Sequence, residues 1–341
     1  MQTSTFSLES SERSAKSMIT VLAGGVGAAK FLIGLLEEVT PSEVTAIVNV
    51  ADDTTIHGLK ICPDLDSCTY TLAGANDTER GWGLRGETWL AMEHLHRYSE
   101  ANSVTAGDAA GWFNLGDRDL GTHLYRTSRL AAGQSLSEVT AEIAAGWGIE
   151  ATLLPVTNSP IWTTVIASDG RHLAFQEYFV KERHDVEVES VSVQGLENAE
   201  PSPGVIAAIE DAEAVIIAPS NPIVSINPVL DVKGVREAVA KRRESVVAIS
   251  PIVGGAALKG PADRLLKDLG HDPSVEGVAR LYEPVAASLV IDLADEALSE
   301  SVENAGVRCV VTDTIMRSTT ITAELARIAI DTATNSSVAG S

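Results

Sequence analysis

Residues 19–30 read ITVLAGGVGAAK. A strand-forming run, Ile19-Thr20-Val21-Leu22, leads into Gly24, Gly25 and Gly27, and a helix pattern begins at Ala28. A strand, a glycine turn and a helix in that order direct the chain towards an α/β fold and shape a pocket for an anion. Glycine lets the backbone approach a ligand closely. The first N–H groups of the helix have no partner within it and point at whatever sits there. The turn is not a Walker loop, because Phe31, not Ser or Thr, follows Lys30. It half fits a dinucleotide fingerprint: Gly25 and Gly27 match the first two glycines, but Lys30 replaces the third. A tight β–α turn with no ligand is the plainer alternative.

The rest of the chain supports a nucleotide-type fold. The helix after the turn carries Phe31, Leu32, Leu35, Leu36 and Val39 at helical spacing, and Pro41 stops it. Residues 44–50 form a continuous apolar strand, as in a sheet covered on both faces. The opening β-α-β predicts a parallel pair with a right-handed crossover. From Ala214 the rhythm returns: AVIIAP, a helix over 232–242, VVAIS, a helix near 262–269, SLVIDL, RCVVTD and a helix over 320–332. We therefore expect an α/β fold with a doubly wound, mostly parallel Rossmann-like sheet and an inserted α+β region.

The expected organisation is a disordered, Ser-rich tail over 1–17 and one domain over 18–335. Its core comprises 18–60 and 205–335, and an acceptor or lid region occupies about 61–200. Within 51–85 the polar, glycine-containing sequence reads as irregular, which marks a lid or a site. A short helix follows over 87–98, then loop over 101–110. Ser135 and Glu138 have capping-box spacing for a helix ending near Gly146. Asp169-Gly170 signals a hairpin, with 186–193 as its third strand.

A formal net charge of −22 argues against nucleic acid or an anionic membrane as partner. An acidic chain that binds a phosphate compound must use backbone N–H groups or a bound cation. Cys62, Cys68 and Cys309 form no CxxC pair, which suits a reducing cytoplasm. No apolar run is long enough to span a bilayer, and the first residues lack a signal-peptide core.

Four carboxylates stand out. Asp52 and Asp53 directly follow an apolar strand, and Asp64 and Asp66 come soon after. Ligands of open α/β sheets sit at strand ends. Two carboxylate pairs there suggest a hard divalent cation, most simply Mg²⁺, shared with substrate phosphates. The plain alternative is turn and cap chemistry. Asn114, Gly116, Asp117, Arg118, Asp119 and His123 form a second polar cluster. Arg118 could clamp a phosphate there, or pair with an N-capping Asp119. Ser220 and Asn221 end a strand and could read a base or a phosphate edge. Trp82, Trp89, Trp112 and Phe113 could bracket a planar ring or belong to the core. No His or Cys spacing fits zinc.

Together these segments resemble the CofD-type transferases of deazaflavin coenzyme F-420 biosynthesis. The matching segments are LAGGVGAAK (22–30), VNVADDTTIHGL (48–59), CPDLDSCTYTLAG (62–74), RGWGLRGETW (80–89), NLGDRDLGTH (114–123), FQEYFV (175–180), APSNPIVSI (218–226) and SPIVGG (250–255). The resemblance spans 18–332. It implies attack by an alcohol of the deazaflavin Fo on the distal phosphorus of a guanosine diphosphate ester, with GMP leaving and Mg²⁺ required. The transferred acid is 2-phospho-L-lactate in one branch and phosphoenolpyruvate in another; Val48-Asn49-Val50, His57 and Cys62-Pro63 lean towards the latter.

Phosphoryl transfer needs positioning and charge neutralisation more than covalent help. We expect Gly24, Gly25 and Gly27 to hold the diphosphate. Asp53 and Asp66 are expected to act in catalysis, as metal ligands and acceptor orienters, with Asp52 and Asp64 as further metal ligands. By resemblance, Asp66 and Asn114 lie where the family contacts Fo, and Ser220 and Asn221 serve the guanosine side; Asp117 and Arg118 complete the expected substrate contacts. The family suggests a homodimer. The rivals are an NAD(P)-dependent oxidoreductase, which lacks its third glycine, and a non-catalytic nucleotide-sensing protein.

Overall fold

The computed structural model describes residues 18–101 and 112–338. The segment 1–17 and most of the loop expected over 101–110 lie outside the described residues. Strand β1 (Ile19–Ala23), helix α1 (Gly25–Glu38) and β2 (Val44–Val48) open the chain. Every residue of β1 and β2 is buried, as their unbroken apolar sequences require. A hairpin of β3 (Thr54–Ile56) and β4 (Leu59–Ile61) then leads into α2 (Pro63–Leu72). The hairpin turns at His57-Gly58, both with positive φ, of 52° and 78°. This region was expected to be irregular. Instead Pro63 at the first helical position starts a helix whose first turn is acidic.

Helices α3 (Leu90–Ala101), α4 (Asp119–Ala131) and α5 (Leu136–Gly146) follow, and α5 begins with the expected Ser135–Glu138 capping box. Strand β5 (Thr152–Pro155) lies within the segment read as an insertion, yet it pairs in parallel with β2 and extends the main sheet. The expected antiparallel patch is β6 (Trp162–Ala167), β7 (His172–Ala174) and β8 (Val188–Gln194), with β6 in the middle.

The second half runs α6 (Val205–Glu210), β9 (Ala214–Ile217), α7 (Asn227–Leu230), α8 (Val235–Lys241), β10 (Val246–Ile249), the short β11 (Ile252–Val253) and β12 (Ala256–Ala257), α9 (Ala262–Asp268), α10 (Val275–Tyr282), β13 (Ser288–Asp292), α11 (Ser299–Asn304), β14 (Arg308–Thr312) and α12 (Thr319–Val338). The main sheet has the order β14-β13-β10-β9-β1-β2-β5, and all its pairs are parallel. The chain winds outwards from β1 through β2 and β5, then returns to β9 and winds the other way. The topological switch point therefore lies between β1 and β9, where ligands of such sheets bind.

Helices α1 and α12 cross at Gly34, where a Cβ would overlap the Thr322 backbone. Two rigid backbones cannot yield as a side-chain tip can. Gly34→Ala is expected to destabilise the fold by about 1–3 kcal/mol, read as a lower thermal midpoint.

Candidate active site

The glycine turn lies at the switch point. Gly24 is extended and Gly25 has φ +66°, a left-handed value that explains glycine there. The Ser220 hydroxyl, at the end of β9, donates to the Gly24 carbonyl at 2.7 Å. A Cβ at Gly27 would run into the Pro219 carbonyl. Thus Gly27 serves the close approach of α1 to the end of β9. Ser220, expected on the guanosine side, uses its hydroxyl proton to fix the turn. Asn221 accepts hydrogen bonds from Ile223 N and Val224 N through Oδ1, capping the helical turn 222–226. Its Nδ2 is buried with no hydrogen-bond partner.

Asn49 follows β2 and is fully buried. Its Nδ2 donates to Asp52 Oδ2 at 3.2 Å and to Asp64 Oδ2 at 3.0 Å, so one amide joins two carboxylates from different segments. The β3–β4 hairpin returns the chain so that the first turn of α2 brings Asp64 here. The Gly25 N–H also donates to Asp64. The anion hole of the glycine turn is therefore occupied by the protein's own carboxylate, which lies over Gly24 and Gly25. Burial, reinforced by the neighbouring Asp53 charge, pushes Asp64 up to about 7, against the hydrogen bonds from Asn49 and Gly25. Burial and the Asp64 charge push Asp52 well above the usual carboxylate range. Asp52 Oδ1 is buried without a formed hydrogen bond, the Thr163 hydroxyl lying near it.

Two buried carboxylates this close must share a proton or a cation. Hard oxygens and an unpaired Oδ1 suit Mg²⁺, which binds one or two carboxylates and fills its shell with water and phosphate oxygens. Among the described residues no three His, Cys, Asp or Glu side chains form a complete metal cage. Raised carboxylate pKa values mean that the folded state holds more protons than the unfolded one between about pH 4 and pH 7. Stability of the metal-free protein is therefore expected to fall as pH rises through that window. Added Mg²⁺ should raise the thermal midpoint by several degrees at about pH 8 and little at about pH 5. Equal Mg²⁺ effects at both pH values would count against this pair as the metal site.

The other two acids of the expected four-carboxylate set are engaged with side chains elsewhere. Asp53 pairs with Lys60 Nζ at 3.2 Å and accepts from Cys62 Sγ at 3.0 Å. Burial still outweighs these contacts and raises its pKa. Asp66 holds both terminal guanidinium nitrogens of Arg126, one through Oδ1 and the other through Oδ2 at 3.2 Å. The pair is buried between α2 and α4. His123 joins it, with Nδ1 3.8 Å from Asp66 and Nε2 3.3 Å from Asp119, which also bonds the Tyr70 hydroxyl. Both oxygens of Asp66 thus serve a buried guanidinium.

In the cluster over 114–118, Asp117 and Arg118 make local contacts. Asp117 accepts from the N–H groups of Leu90 and Ala91, both at 3.0 Å, capping α3 from outside. These bonds, with one from the Thr88 hydroxyl, hold it below the usual carboxylate range. Arg118 donates to the Arg85 carbonyl at 2.6 Å. Glu87 caps α4 by accepting from Arg118 N at 2.7 Å and Asp119 N at 3.0 Å. A turn-and-cap role thus accounts for Asp117 and Arg118. Asn114 is exposed.

Asn49, Glu87 and Arg126 had no assigned site role in the sequence reading. Asp119, His123 and Arg126 recur at helical spacing along one face of α4, a polar stripe that could have signalled a buried network. Asn49 carried no such signal, because its partners come together only through the hairpin.

The family model described as 2-phospho-L-lactate transferase CofD matches residues 19–329. The chain belongs to the CofD family. Among curated relatives it is 42% identical to the phosphoenolpyruvate transferase of Kitasatospora aureofaciens over 317 residues, covering 92% of this chain and 96% of that one. It is also 42% identical to that of Nocardia farcinica over 321 residues, covering 92% and 94%. A crystal structure of a UPF0052 family member from Bacillus halodurans matches with TM-score 0.58 at 16% identity, covering 92% of this chain and 99% of that one. That likeness concerns the fold. The family and its relatives make this CofD-family chain a transferase of a phosphate-containing group, and the oxidoreductase reading lapses.

Proposed function

We propose that the chain transfers a phosphoenolpyruvyl group from its guanosine diphosphate ester to the deazaflavin Fo, releasing GMP, with Mg²⁺ as cofactor. The observation that carries this reading is the buried Asp52–Asn49–Asp64 arrangement against the glycine turn at the switch point. It combines a hard-cation donor set with a helix N-terminus, the two devices that let an acidic chain accept a diphosphate. The printed names of the curated relatives favour phosphoenolpyruvate over 2-phospho-L-lactate.

When bound, Mg²⁺ would offset the charge developing on the phosphates. Asn49 keeps the two carboxylates at fixed separation. Asp64 yields the Gly25 N–H to the donor or shares it through the cation. Asp53, near the entrance to the hairpin, is the candidate to orient the acceptor hydroxyl. Asp66 positions α2 through Arg126. The test is to incubate the chain with Fo, Mg²⁺ and each guanosine-activated acid, then weigh the product. The phosphoenolpyruvyl product is lighter than the lactyl one by one molecule of hydrogen. Absence of product with either donor would sink the assignment.

A further inference from the structure

Strand β6 alternates between buried and more open positions, as a half-covered strand must. Thr163, Val165 and Ala167 make up its buried face, and Thr163 carries the one hydroxyl there. Thr163 is 2% exposed, yet its Oγ1 has no hydrogen-bond partner. An unpaired buried polar group costs about 1–3 kcal/mol. Valine has the same branched shape and would carry no such cost. A hydroxyl kept at this position therefore needs a reason.

Its surroundings supply one. The Thr163 N–H donates to the Ala51 carbonyl at 2.7 Å, which sets the side chain beside Asp52. Asp52 Oδ2 accepts from the Asn49 amide, while Oδ1 is buried without a formed hydrogen bond. Two unpaired oxygens, one able to donate and one able only to accept, are thus neighbours. The hydroxyl lies close enough to ease the charge on the carboxylate. A second anchor comes from the same antiparallel patch. Gln176 is buried just before the helical turn Glu177–Lys181, and its Nε2 donates to the Asp52 carbonyl at 3.2 Å. The loop after β2 is held by this patch on one side and by Asn49, which reaches Asp64, on the other.

We propose that Thr163 is a positioning residue for the cation site, its hydroxyl turning onto Asp52 Oδ1 while Gln176 holds the backbone of the same residue. A carboxylate oxygen has two lone pairs, so it can accept from a hydroxyl and still face a cation. Outer partners of this kind fix the orientation of a metal-binding carboxylate. The inference rests on the proposed Mg²⁺ site at Asp52 and Asp64. It makes the antiparallel patch, which lies outside the parallel sheet, a working part of that site.

The test is titration of the full chain with Mn²⁺, a hard divalent ion whose free concentration is read by electron paramagnetic resonance. Thr163→Val is expected to weaken Mn²⁺ about tenfold, the usual loss when an outer partner is removed. The metal-free thermal midpoint should hold or rise, because an unpaired hydroxyl has gone. Thr163→Ser should restore most of the affinity, and Gln176→Met should weaken it several-fold. In turnover assays, Thr163→Val should raise the Mg²⁺ concentration giving half-maximal rate and leave kcat at saturating Mg²⁺ nearly unchanged. Equal losses of affinity and thermal midpoint in the valine and serine variants would mark a packing role and overturn the inference. Wild-type Mn²⁺ affinity in Thr163→Val would overturn it too, and would leave the transfer reaction standing. Mn²⁺ binding that depends on Thr163, in a chain that forms no product with either donor, would retire the reaction and support the positioning role. A wild-type chain that takes up no Mn²⁺ would overturn the cation site and this inference together.

Discussion

Asp64→Asn is expected to lower kcat by about a hundredfold or more while raising the thermal midpoint of the metal-free protein. The two effects have one cause. Asp64 lies against Asp52 through Asn49, in a site where burial already disfavours negative charge. Asparagine keeps the size and one acceptor oxygen for Gly25 and Asn49, but removes the like-charge repulsion. Stability at about pH 8 therefore rises. In the proposed reaction the same charge would hold the cation that offsets charge on the phosphoryl group, and loss of such a stabiliser typically costs about 100- to 1,000-fold. Asp52→Asn should behave alike. The double variant should lose much less than the product of the single losses, because in the proposed reaction both residues would serve one cation. Single-turnover rates at saturating donor, read beside thermal melts, check both halves. Full turnover in Asp64→Asn would remove the residue from catalysis.

Arg126→Met is expected to destabilise the fold by about 3–5 kcal/mol, the usual cost of stranding one partner of a buried ion pair. Here the stranded group is Asp66, buried against α4 with His123 and Asp119 close by. Adding Asp66→Leu should recover a large part of the loss, since an apolar pair of similar volume carries no unpaired charge. Denaturant unfolding at constant slope is the measurement. If Arg126→Met alone costs less than about 1 kcal/mol, the network is not what holds α2 to α4. The double variant also separates two roles of Asp66. Recovered stability with recovered turnover marks it as a positioning residue. Recovered stability without turnover marks it as a direct contact to substrate.

Most of the main sheet was legible in the sequence, and so was the capping box of α5. Continuous apolar runs such as VTAIV and AVII suit interior parallel strands, and their order with intervening amphipathic helices leaves few topologies. The stretch 51–85 was not legible. Its hairpin and α2 have polar sequences, because α2 buries the carboxylates Asp64 and Asp66 and the hydroxyls of Thr69 and Thr71 beside Leu65, Cys68 and Tyr70. Periodicity rules count apolar residues and pass over a helix such as PDLDSCTYTL. β5 was missed for another reason: a four-residue strand, TLLP, is too short to announce which sheet it joins.

The sequence by itself determined the α/β class, the glycine turn at the end of the first strand, and a set of acids placed to meet it. It determined those features because they are local, fixed by backbone freedom at glycine and by apolar runs. Tertiary structure alone decided which acids meet. The four carboxylates are close in sequence and look equivalent there. Folding places Asp52 and Asp64 on one amide, Asp53 on a lysine and Asp66 on a buried arginine. The pairing depends on partners such as Arg126, sixty residues from Asp66 along the chain, and a buried charge takes its character from whichever partner the packing brings.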